Sequence, residues 1–107
     1  MSDYRLTHAA DKDIEEIWRR ISTDSGNARA DAFEESLHEA MQRLGDAPQI
    51  GHLRADLGDE HLRVWPVAKT LIIYRPEPQP IQIIRVLHGA RDVGAVMDTR
   101  DDAEPGS

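Results

Sequence analysis

The apolar residues of this chain change their period once, and that change limits the folds open to it. Ala10, Ile14, Ile17, Trp18 and Ile21 recur at spacings of three and four, and so do Ala30, Phe33, Leu37, Ala40, Met41 and Leu44. This spacing gathers apolar side chains on one stripe of a helix. From Leu62 onward the pattern becomes short blocks rich in Val, Ile, Leu, Trp and Tyr, at residues 62–67, 71–75 and 81–88. Such blocks, bounded by turn residues, read as strands. A helical part followed by a β part, each apolar on one side, has to pack helices onto a sheet.

Local signals fill in the order. Tyr4, Arg5 and Leu6 read as a short first strand, and Thr7 is placed to cap the helix predicted over residues 9–24, whose acidic first turn suits the helix dipole. Asp24, Ser25, Gly26 and Asn27 form a polar break before a second helix that Gly45 and Pro48 close, so the two helices form an antiparallel hairpin. Residues 49–60 lack periodicity and read as a loop with room for one short irregular strand. The three strand blocks, joined by a turn at residues 68–70 and by Pro76, Pro78 and Pro80, form a meander to which the first strand adds at an edge. The expected class is α+β in the order β-α-α-β-β-β, a helical hairpin packed on a small antiparallel sheet. The folded domain is expected over residues 1–97, with a short helical turn through Val93 and Met97. Residues 98–107 form an acidic tail with little reason to fold.

At 107 residues the chain is long enough for one domain, and its mean hydropathy of −0.58 is that of a soluble protein. It has no apolar run of spanning length and no apolar leader near Met1, so a cytoplasmic location is expected. Without cysteine there is no disulfide, thiolate nucleophile or thiolate metal site, and no motif calls for a cofactor. The net charge of −7 argues against a simple nucleic-acid binder. The charge is also segregated. Residues 9–46 hold ten acidic and five basic residues, whereas residues 61–91 hold five basic residues and one acidic. Eleven of the 13 basic residues are Arg, a side chain suited to planar contacts with carboxylate or phosphate.

The last strand block, "IIRVLHGARD", carries Arg85, His88 and Arg91 towards one end. On an unbroken strand, Gln82, Ile84, Val86 and His88 face one way and Ile81, Ile83, Arg85 and Leu87 the other, while Gly89 allows the chain to turn Arg91 back. His and Arg together suit phosphodiester cleavage. A structural role, His88 bonding the turn and Arg91 pairing with neighbouring charges, fits the same residues and has the greater weight. His52, His61 and His88 with Asp56, Asp59 and Glu60 match no helical ligand spacing, so no metal is expected. Trp18 lies in the apolar stripe and reads as core, whereas Trp65, beside Pro66 on a candidate edge strand, reads as exposed.

Taken together, "YRLT", "DIEEIW", "RLGDAPQIGHLR", "RVWPVAKTLIIYR" and "IIRVLHGARDV" resemble the ParE toxins of the ParE/RelE superfamily over residues 4–96. The block "RVLHGARD" following "LIIYR" is the most specific part of the likeness. The resemblance implies a complex with a ParD-type antitoxin, neutralisation by it, and inhibition of DNA gyrase without cleavage of RNA. It implies no membrane association and no specific DNA binding without the antitoxin. The related RelE branch cuts messenger RNA and, by resemblance, carries an Arg and a Tyr where this chain has Leu71 and Met97. Of that set only Arg91 remains, so a non-enzymatic toxin is the expected reading, with a RelE-like ribonuclease or a non-toxic co-repressor module as alternatives. The residues expected to meet the target are Arg63, Arg75, Arg85, His88 and Arg91. Those expected to meet the antitoxin are Trp18, Phe33, Leu37 and Trp65.

Overall fold

The computed structural model describes residues 3–57 and 60–89, and for Ala55 the backbone only. The elements are β1 (Tyr4–Leu6), α1 (His8–Ser25), α2 (Asn27–Asp46), β2 (His52–Leu53), a 3-10 turn (Ala55–Leu57), β3 (Arg63–Val67), β4 (Thr70–Arg75) and β5 (Ile81–His88). Thr7 caps α1 as its position suggested, its hydroxyl accepting the Ala10 N–H at 3.1 Å. The polar break shrinks to Gly26 alone, which closes α1 and opens α2. Its φ of 93° and ψ of 163° belong to a region that only glycine adopts without strain, and this lets the chain reverse within one residue.

The sheet runs β1-β5-β4-β3-β2. Strands β3 to β5 form the antiparallel meander as expected and β2 pairs antiparallel with β3, but β1 joins the free edge of β5 in parallel, so the sheet is mixed. Thr7 extends that junction, its N–H donating to the Ile83 carbonyl at 3.1 Å and its hydroxyl lying 3.0 and 2.8 Å from the carbonyls of Ile83 and Ile84. Residues 52–53 form the short strand for which the loop left room. The expected helical turn through Val93 and Met97 and the acidic tail lie outside the described residues.

One face of the sheet carries Ile72, Tyr74, Ile81, Ile83 and Val86 against Ala10, Ile17, Leu37, Met41 and Leu44 of the helices, all buried. Each large aliphatic group fully removed from water there contributes about 1.5–3 kcal/mol. The other face holds a smaller cluster of Leu57, Leu62, Val64 and Ile73, with Leu71, Ile84 and Leu87 half-buried beside it. The alternation expected along β5 is broken by a bulge. Ile73 pairs with Arg85 and Tyr74 with Ile83, which leaves Ile84 as an extra residue. Ile81, Ile83 and Val86 consequently share the helix-facing side, a grouping that strict alternation does not allow.

Candidate functional site

The bulge in β5 determines where its cations go. Arg85 meets Asp13 of α1 in a two-pronged ion pair, Nε to Oδ2 at 2.6 Å and Nη2 to Oδ1 at 3.0 Å. Asp13 also accepts the Val86 N–H at 3.0 Å, satisfying a donor that β1 is too short to reach. The Asp13 hydrogen bonds hold Arg85 still more firmly protonated than an ordinary arginine. Asp13, which the periodicity places on the polar side of α1, therefore clamps the helix to the sheet. The guanidinium of Arg85 is bonded inside the molecule.

Arg63 is similarly occupied. Its Nη1 donates to the Gly51 carbonyl at 2.7 Å and to the Gln49 carbonyl at 3.1 Å. The same loop is held from beneath by Tyr74, whose buried hydroxyl donates to the Pro48 carbonyl at 2.7 Å and accepts the Gly51 N–H at 2.9 Å. Gly51 must lack a side chain, because a Cβ there would lie 2.4 Å from that hydroxyl. Arg75 is half-buried and shares a cleft with Arg63 and with Leu53, which is 58% exposed. His88 is exposed at the end of β5, opposite Thr70, and Arg91 lies outside the described residues. The five residues expected at one surface thus separate into two held by internal bonds, one in the cleft beside β2, one at the far end of the sheet and one outside the described residues.

The residues expected to meet the antitoxin divide as well. Leu37 is only 1% exposed and belongs to the core. Trp65, read as exposed, is half-buried and packs against the helix-facing core. Trp18, read as core, is half-buried in the outer groove of the hairpin, where its indole N–H donates to Asp31 at 3.1 Å. Phe33 is half-buried at the margin of the core. Towards β1 the hairpin groove continues past Leu6, which is 40% exposed, and the hydroxyl of Tyr4 bonds Nδ1 of His38 beside it. Asp11, Asp31, Glu34 and Glu35 give this groove an acidic rim.

Among the described residues no three His, Asp or Glu side chains gather so as to hold a metal ion. Asp56 is bonded instead to Arg54 at 2.8 Å, which holds its carboxyl below the usual range. Among the described residues no helix is long and apolar enough to cross a membrane. Leu71, the position of an Arg in the ribonuclease branch by resemblance, packs with the second apolar cluster.

A family model described as the ParE toxin of type II toxin-antitoxin system, parDE, matches residues 4–93. No curated protein matches the chain significantly. Among solved structures the fold is similar to a chain of the chromosomal ParDE TA system from P. aeruginosa. The TM-score is 0.69 at 19% identity, covering 82% of this chain and 96% of that one. At that identity the structural likeness concerns the fold, and the family match is what concerns the sequence.

Proposed function

The chain belongs to the family of ParE toxins of type II toxin-antitoxin systems, and from that premise we propose that it arrests growth by binding DNA gyrase in the cytoplasm and is neutralised by a ParD-type antitoxin. Toxins of this type are generally not enzymes. The observation that carries the binding reading is Leu71. It sits in an apolar cluster with Ile73 and Leu87, and a leucine there has no charge with which to stabilise a pentavalent phosphorus. Recognition of the target falls to His88, Arg75 and Arg91, while Arg63 and Arg85 keep the loop at residues 49–51 and the β5 edge in shape. The antitoxin covers the hairpin surface at Trp18 and Phe33, with Leu37 beneath and Trp65 at the sheet margin.

The test is a supercoiling assay with purified DNA gyrase, titrated with the chain freed from its partner, beside cleavage of messenger RNA on translating ribosomes. Inhibited supercoiling with intact RNA is the expected result. Cut RNA with normal supercoiling would overturn the reading in favour of the ribonuclease.

A further inference from the structure

We propose that the depression between the tip of the helical hairpin and the β3–β4 turn seats an acidic segment of the antitoxin that carries an aromatic or aliphatic anchor. This deepens the preceding reading and rests on it, because it assumes the antitoxin partner. The depression encloses about 500 Å³. Ile21 and Phe33, both half-buried and packed against the core, give it an apolar floor. Around them stand Arg20, Arg29, Lys69 and His88, all exposed. None of these four side chains has a hydrogen bond or ion pair with another described residue. Among the described lining residues Asp24 is the only carboxylate, and it too has no ion pair with another described residue.

The contrast with the rest of the surface gives this cluster its meaning. The chain carries a net charge of −7, and the groove on the β1 side of the hairpin is rimmed by carboxylates. Between these two sides of the hairpin, an anionic segment is favoured at the basic depression, whose field steers it there. The apolar floor selects a peptide with a buried anchor over a nucleic acid, whose affinity would come mainly from its phosphates. Because His88 ends β5 and Phe33 lies on α2, a segment seated there covers both at once. Neutralisation then works by occluding the sheet end.

The test uses the full chain with its co-expressed antitoxin. The double variant Arg29→Glu, Lys69→Glu changes two exposed side chains, so its unfolding midpoint should match the parent. The Kd for the antitoxin should rise roughly tenfold or more at low salt, with the gap narrowing as salt is added. As a comparison, Glu34→Arg with Glu35→Arg in the acidic groove should leave Kd unchanged or lower it. An unchanged Kd for the first variant, or a weakened complex from the second alone, would overturn the assignment while leaving the toxin-antitoxin reading intact. Failure of the unaltered chain to bind the antitoxin would overturn both.

Discussion

Tyr74 shows how much one buried side chain organises. Its ring lies in the helix-facing core while its hydroxyl joins Pro48 to Gly51, and Arg63 closes the same loop from the other side. Burial pushes the phenol above its usual value of 10.0, opposed by the Gly51 hydrogen bond and the charge of Arg63. The folded state thus keeps a proton that the unfolded chain releases. The stability this group contributes is complete below pH 10.0 and is lost as pH rises through the folded value. Tyr74→Phe should cost about 1–3 kcal/mol at neutral pH, because the buried Gly51 N–H and the part-buried Pro48 carbonyl lose their partner. It should also shrink the alkaline loss, leaving the part that Tyr4, likewise raised by burial, contributes. Denaturant titrations at neutral and alkaline pH check both. Asp13→Ala strands Arg85 and the Val86 N–H, and with the pair still 19% and 13% exposed the expected cost is about 2 kcal/mol. Pairing it with Arg85→Met should recover much of that loss, which a double-mutant cycle would measure. Nothing in the sequence marks these contacts. Asp13 looks like any polar position on α1, and Arg85 lies 72 residues further along the chain.

The elements themselves were largely legible, since each follows from a local period or a capping residue. Both helices, the three-strand meander, the Thr7 cap and the turn at residues 68–70 follow from spacing and turn chemistry alone. What escapes a sequence reading is long-range or too short to carry a pattern. The three residues of β1 cannot announce that they pair in parallel, the short strand allowed for in residues 49–60 could not be placed at residues 52–53, and the bulge at Ile84 leaves no mark on a run of aliphatic residues. That bulge decides which way Arg85 and His88 face, so the candidate site was legible in its residue types and not in their grouping. Two glycines test the element account. Gly26→Ala meets no neighbour within 4 Å but must hold a strained backbone, at a cost of about 1–3 kcal/mol. Gly45→Ala would place a Cβ 2.6 Å from the backbone oxygen of Asp3, so it should loosen the start of β1. Hydrogen exchange should then show faster exchange at residues 4–7 with the β3–β5 meander still protected.

At the scale of the whole molecule, charge and shape separate by surface. Carboxylates line the hairpin groove near β1, Arg20, Arg29 and Lys69 surround the depression at the hairpin tip with no ion pair to another described residue, and the sheet face away from the helices carries a second apolar cluster around Ile73. A protein that acts by binding needs no convergent catalytic groups, and the dispersal of the expected cations fits that requirement. The central claim is that this chain is a toxin held in check by a partner. The most direct measurement is growth of cells after induction of the chain alone and together with its antitoxin partner. Arrest by the chain alone, relieved when both are made at comparable levels, is the predicted result. Undiminished growth with the chain alone, at protein levels equal to those in the pair, would contradict it.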